Sequence, residues 1–116
     1  MDESILNNVK KLLGIDPDYT EFDDQLIIHI NTVFQILYQL GVGPDLPFMI
    51  DDVSAVWADF SDNIDELSMA KSYVGLKVKS LFDPAQSGVL AEAEKRVVDE
   101  LEWRLNVEAD PGDQNE

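Results

Sequence analysis

The chain has 116 residues, 45% of them apolar and 28% charged, which is the make-up of one small globular domain around a single hydrophobic core. Eight Lys and Arg against 24 Asp and Glu give a net charge of −16, which excludes nucleic-acid binding through a basic groove and adhesion to an anionic membrane surface. The absence of cysteine excludes disulfides, thiolate metal sites and a cysteine nucleophile.

The first predicted helix runs from about Asp2 to Leu13. Ile5, Leu6, Val9, Leu12 and Leu13 recur at helical spacing, and Gly14 supplies a C-terminal stop. Asp16-Pro17-Asp18 is a turn. The second helix, about Glu21 to Leu40, places Phe22, Leu26, Ile30, Val33, Phe34, Leu37 and Leu40 on one broad apolar face. Asp23 and Asp24 sit in its first turn, where the helix dipole favours acids, and Gly41 ends it. No charged residue lies between Asp24 and Asp45. The far face of this helix is Asn31, Thr32, Gln35 and Gln39, neutral but able to hydrogen-bond. A helix face fully open to water usually carries charge, so this one is a candidate for being covered.

Gly41-Val42-Gly43-Pro44-Asp45-Leu46-Pro47 reads as a loop. A short helix from about Asp52 to Phe60 is expected next, with Val53, Val56, Trp57 and Phe60 on one side. The third long helix runs from about Ile64 to Phe82. Leu67, Ala70, Val74, Val78 and Leu81 make its main stripe, and Met69, Tyr73 and Leu76 make a second on nearly the opposite side. Either the helix is central and packed on both sides, the preferred reading, or one stripe meets another subunit. Asp83-Pro84 breaks the chain, and the last helix runs from about Ser87 to Leu105. Leu90, Ala93, Val97, Leu101 and Leu105 are expected to face the core, with Trp103 on the other side among charged residues as a candidate partner contact. Fold class is therefore all-α: a bundle of four main helices plus a short one over residues 1–106, followed by a flexible acidic tail, 107–116.

Charge is segregated along this frame. From Asp18 to Glu66 there are eleven acids and no Lys or Arg, whereas Leu67 to Asn106 holds six of each sign. Such a division implies a polarised surface, with one region repelling polyanions. The acidic start, Met1-Asp2-Glu3-Ser4, is unlike a signal peptide, and no apolar run approaches the roughly 20 residues of a membrane span. A soluble intracellular protein is expected.

The residues do not assemble into a catalytic pattern. His29 is the only histidine, so a His-based metal site or general base has no second ligand. The adjacent pairs Asp23-Asp24 and Asp51-Asp52 do not converge on a point when helical. Asp59, Asp62, Asp65 and Glu66 lack the glycine and spacing of a calcium loop. Gly41-Val42-Gly43-Pro44 has no strand–helix context and no nearby lysine, so it is no phosphate cradle. No enzyme and no cofactor is expected.

Several strings in order carry a resemblance. They are Ile5-Leu6-Asn7-Asn8-Val9-Lys10-Lys11-Leu12-Leu13-Gly14-Ile15, then Tyr19-Thr20-Glu21-Phe22-Asp23-Asp24-Gln25-Leu26-Ile27-Ile28-His29-Ile30-Asn31 leading to Gln39-Leu40-Gly41-Val42-Gly43-Pro44. Lys77-Val78-Lys79-Ser80-Leu81-Phe82-Asp83-Pro84 and Glu100-Leu101-Glu102-Trp103-Arg104-Leu105-Asn106 complete the set. Over about residues 4–106 the chain resembles the head–tail connector (head-completion adaptor) family of tailed bacteriophages and prophages. Ala85-Gln86 departs from the second proline expected after Asp83-Pro84, which affects only the start of the last helix.

The resemblance implies a helical, non-enzymatic protein of the virion neck, assembled in the host cytoplasm as a ring under the portal. The ring would extend the DNA channel and dock the next neck or tail-completion protein. A ring contact is head-to-tail and needs two different patches per subunit. Candidates for it are Asn31, Gln35 and Gln39, and Met69, Tyr73 and Leu76. Trp103, Arg104 and Asn106 are candidate contacts to the portal or neck. Asp45, Asp51, Asp52, Asp59 and Asp62 are a candidate acidic surface facing the channel. The alternative from composition is a DNA mimic that inhibits a host nucleic-acid-binding enzyme. Its carboxylates should be arrayed along the best-ordered helices, which the second and last helices do not provide.

Overall fold

A computed structural model describes residues 3–84 and 86–109. These form five helices: α1 (Ile5–Leu13), α2 (Asp23–Gln39), α3 (Trp57–Phe60), α4 (Ile64–Phe82) and α5 (Gly88–Ala109). Among the described residues there is no strand, only an isolated antiparallel bridge between Ser4 and Val56. The all-α bundle with one short helix is the architecture expected.

α1 starts at Ile5 because Ser4 caps it, its Oγ accepting from the Asn7 N–H at 3.2 Å. Residues 1 and 2, where the helix was expected to begin, lie outside the described residues. Gly14, at φ +80°, ends the helix in the left-handed region that favours glycine. α2 buries Leu26, Ile30, Val33, Phe34 and Leu37 along the face predicted. Phe22 instead lies partly exposed at the helix entrance, edge-on to Phe82 at 5.2 Å between ring centres.

Lys10 joins these two helices. Its side chain is 1% exposed, and its ammonium donates to Asp23 Oδ1 at 2.8 Å and to the Pro17 carbonyl at 2.9 Å. The first-turn carboxylate of α2 thus serves as counter-ion to a buried lysine.

The long connection from α2 to α4 folds back on the core. Asn31 holds it: its Nδ2 donates to the Ile50 carbonyl at 3.0 Å and its Oδ1 accepts from the Ile50 N–H at 2.8 Å. Phe48, Trp57 and Phe60 gather around Phe34, with ring centres 4.9, 5.9 and 5.0 Å from it. Gly43, at φ +96°, passes so close to this cluster that a Cβ there would lie 2.5 Å from the Phe60 ring. α3 is shorter than the Asp52–Phe60 helix expected. The backbone just before it is extended and paired with the N-terminal segment, Ile5 N–H donating to Ala55 O and Trp57 N–H to Glu3 O. Val53 is consequently exposed rather than packed with Trp57 and Phe60.

α4 lies at the centre, in contact with α1, α2 and α5. Ala70, Val74 and Val78 are buried as expected, while Leu81 is exposed. α1 crosses closely at Gly75, where a Cβ would sit 2.5 Å from Leu12 Cδ1. α5 continues to Ala109, beyond the expected end at Leu105, and residues 110–116 of the predicted tail lie outside the described residues. Its rotation also differs from expectation. Val98 and Leu105 are buried and Leu101 half-buried, but Leu90, Ala93 and Val97 face outward. Polar links accompany this rotation: Glu94 takes Lys79 at 2.8 Å, and Glu102 accepts from the Tyr73 hydroxyl at 2.7 Å with Lys77 at 4.0 Å. Both glutamates flank Val98, so satisfying them turns that line of the helix inward.

Truncating Lys10 to Ala leaves Asp23 and the Pro17 carbonyl without their partner, which should cost about 3 kcal/mol. Lys10→Met, which keeps the volume, should recover part of the packing loss. Urea denaturation of both variants checks the order.

Candidate interaction surfaces

Among the described residues no buried side-chain nitrogen or oxygen lacks a hydrogen-bond partner. None of their His, Asp and Glu side chains cluster in threes as metal ligands. His29 is half-buried beside the Phe82 ring at 6.4 Å between ring centres. No helix among these residues is long and apolar enough to cross a membrane. What the molecule offers is surfaces, and three differ in chemistry.

The first is the outer side of α2. Thr32, Gln35 and Gln39 are exposed together with Ile28, in a stretch without any charge. Asn31 belongs to this side but its amide is engaged with Ile50, so it fastens the connection instead of presenting a free group. The expectation of an uncharged far face therefore applies to the two glutamines and not to the asparagine.

The second surface is the α2–α4 connection. Asp45, Asp51, Asp52, Asp59 and Asp62 are all exposed. None of them forms an ion pair among the described residues. Asp52 accepts from the Ser54 hydroxyl and N–H, hydrogen bonds that hold its carboxyl below the ordinary aspartate range. Asp59 accepts from the Val56 N–H and so closes the start of α3. The five acids fall into two groups. Asp45, Asp51 and Asp52 are interleaved with exposed Leu46, Met49 and Val53, whereas Asp59 and Asp62 run on to Asp65 and Glu66 at the start of α4.

The third surface is α4 with the outer side of α5. Tyr73, a candidate subunit contact, is fully buried between the two helices, because its ring packs in the core while its hydroxyl reaches Glu102. It is thus an internal contact of one chain. Met69 and Leu76 are half-buried. Met69 joins Val97, Leu101 and Arg104 around a shallow hollow, and Leu76 lines another with Leu12 and Gly75. Trp103 is 66% exposed, as its position on the helix required. Arg104 pairs with Glu100 at 2.7 Å. Asn106 donates to the Leu40 carbonyl at 3.3 Å and tethers the end of α5 to that of α2.

The profile of the phage connector protein family matches residues 5–112, nearly the whole chain. The protein belongs to the phage connector family. No curated protein and no solved structure matches it significantly. Membership gives the three surfaces their context, because the family is one of structural proteins of the phage particle. In a connector the residues that matter are those that meet other protein chains. Sequence spacing located the uncharged side of α2 and the exposed Trp103. It missed the outward apolar stripe of α5, for which Glu94 and Glu102, eight residues apart and able to meet Lys79 and Lys77, are the signal.

Burial, and then the hydrogen bond to Glu102 with the charges of Glu102 and Asp99, hold the Tyr73 hydroxyl protonated far above the ordinary tyrosine value of 10.0. The folded state therefore keeps a proton that the unfolded chain releases in alkali. This stabilisation is complete below the unfolded value and is lost as pH rises beyond it. Tyr73→Phe should cost about 1 kcal/mol at neutral pH, and should flatten the alkaline loss seen in the parent. Urea midpoints at about pH 8 and about pH 10.5 separate the two effects.

Proposed function

We propose that this connector works as a head–tail adaptor, its copies closing into a ring beneath the portal that extends the DNA channel and docks the next neck or tail-completion protein. The observation that carries the reading is the family match over residues 5–112. The divided charge supports it. A wall bearing Asp59, Asp62, Asp65 and Glu66, with no base between Lys11 and Lys71, repels the DNA backbone and lets it slide without adhering. Exposed Trp103, with Arg104 beside it, offers an aromatic anchor of the kind that dominates protein contacts, here toward the portal. Asn106 holds the end of α5 in position for that contact. Gln35 and Gln39 add hydrogen-bonding capacity to subunit contacts, and the hollows at Met69 and Leu76 add apolar surface. On this reading the protein resides in the virion neck after assembly in the host cytoplasm.

A DNA mimic has less support. Its carboxylates would have to run along the ordered helices, but α2 has none from Gln25 to Leu40. Four acids of α5 are tied up with Lys or Arg.

Light-scattering mass across a wide concentration range, with negative-stain images of any large species, tests the reading. A closed ring with a central hole is expected, in free solution or on heads that carry the portal. A chain that remains monomeric and ignores such heads would overturn it. Trp103→Ala should fold normally by circular dichroism yet weaken attachment to portal-bearing heads by about 2 kcal/mol. Unchanged attachment would remove Trp103 from that contact.

A further inference from the structure

α5 is the longest helix described, with 22 residues, and the least buried. Among its described side chains only Val98 and Leu105 are withdrawn from water, whereas the shorter α2 buries Leu26, Ile30, Val33, Phe34 and Leu37. Its support lies on one side. It packs against α4, and its far end is tied to the end of α2 by the bond from Asn106 to the Leu40 carbonyl.

The seam between α5 and α4 is loosely closed. Hollows open along it beside Ser68, Ser72 and Leu101, and again beside Ser80, Glu94 and Val98. The links that bridge it run from Tyr73 and Lys77 to Glu102 and from Lys79 to Glu94. The lysines and glutamates of these pairs are 26–36% exposed, so water screens them and each holds the helices together only weakly. Each helix is also closed by its own bonds. The Asp83 N–H donates to the Lys79 carbonyl at 2.7 Å at the end of α4. The Ser87 hydroxyl accepts from the Val89 and Leu90 N–H groups at 3.2 and 3.3 Å at the start of α5. Neither set crosses the seam, so α5 can leave without unwinding α4. The remaining core does not depend on it: α1, α2 and α4 touch one another directly, and the aromatic group around Phe34 contains no residue of α5.

We infer that α5 is a latch, opening from α4 as one cooperative unit while α1 to α4 stay folded, and that its opening uncovers Met69 and Tyr73. Trp103 rides on the same helix, so the most exposed aromatic side chain belongs to the part that moves. The latch is a property of the single chain and holds whether or not copies associate.

Hydrogen exchange of the full-length protein in dilute solution, followed amide by amide by NMR, reads the opening, because a helix released from its support is marginal in water. Amides from Val98 to Leu105 should be protected less than those from Ile30 to Leu37 by more than about tenfold. They should also share one urea dependence, shallower than that of α2. Ile30→Val separates local from global opening. It should speed exchange in α2 about fivefold and leave α5 unchanged, since the closed and open states both contain the altered core. Tyr73→Phe removes the bond to Glu102 and should speed exchange in α5 about fivefold. Equal protection of α5 and α2, a common urea slope, an equal effect of Ile30→Val on both, or an α5 indifferent to Tyr73→Phe would each overturn the latch. Protection that fades residue by residue from the C-terminal end would show fraying in place of a unit, and would overturn it as well.

Discussion

α4 must be packed from two sides, and the two sides are held by different physics. Against α1 and α2 the contact is apolar and close, made by Ala70, Val74 and Val78 with Gly75 admitting Leu12. Dry packing of this sort is dense and intolerant of added volume. Toward α5 the contact is sparse in apolar burial and rich in directed polar links, from Tyr73 and Lys77 to Glu102 and from Lys79 to Glu94. Hydrogen bonds and ion pairs have preferred geometry where hydrophobic burial has none. Together with the burial of Val98 and Leu105 they orient α5 on α4, and Leu90 and Val97 are left in water.

That rotation connects fold to function. Had α5 turned its most apolar line inward, the domain would have hidden Leu90 and Val97 and shown a mixed polar surface. Instead a small protein retains an outward apolar stripe, a feature that in soluble monomers marks interaction sites. The connection between α2 and α4 follows a parallel logic. Asn31 and the aromatic group around Phe34 anchor it at Ile50, Phe48 and Trp57, and the residues between anchors are left to carry Leu46 and Met49 outward. The anchors are internal, and what they hold up is the surface.

The elements that were legible in the sequence are those whose burial follows a single period. α2 and α4 have an apolar face at helical spacing and were located nearly to the residue, and Gly14 marks the end of α1 as read, whereas the caps Ser4 and Asn63 emerge only from the structure. Two features escaped because long-range partners overrode local pattern. The segment before Trp57 would extend α3 by its spacing, but Glu3 and Ile5, on either side of the Ser4–Val56 bridge, take its backbone groups first. The rotation of α5 is the other: Leu90, Ala93 and Val97 form its apolar line on a wheel, but Glu94 and Glu102 meet Lys79 and Tyr73 on α4, and Val98 between them is the buried residue. The acidic surface was legible as composition, yet its division into an apolar-acidic part and a purely acidic part appears only when Leu46, Met49 and Val53 are seen to be exposed.

A chain of this charge faces a constraint that any assembly has to meet. Copies carrying −16 each repel one another, and the repulsion grows with every subunit added unless contacts join unlike patches. Screening at physiological ionic strength limits the range to about 8 Å, so what matters is which groups lie next to each other across the contact. Spreading the eight basic residues evenly would neutralise nothing locally. All but two of them lie in the chain after Leu67, where they meet acids in equal number as far as Asn106, so the repulsion is concentrated in the stretch from Asp18 to Glu66. The same segregation leaves the stretch from Asp18 to Glu66 without a single Lys or Arg, a surface that repels any polyanion brought against it.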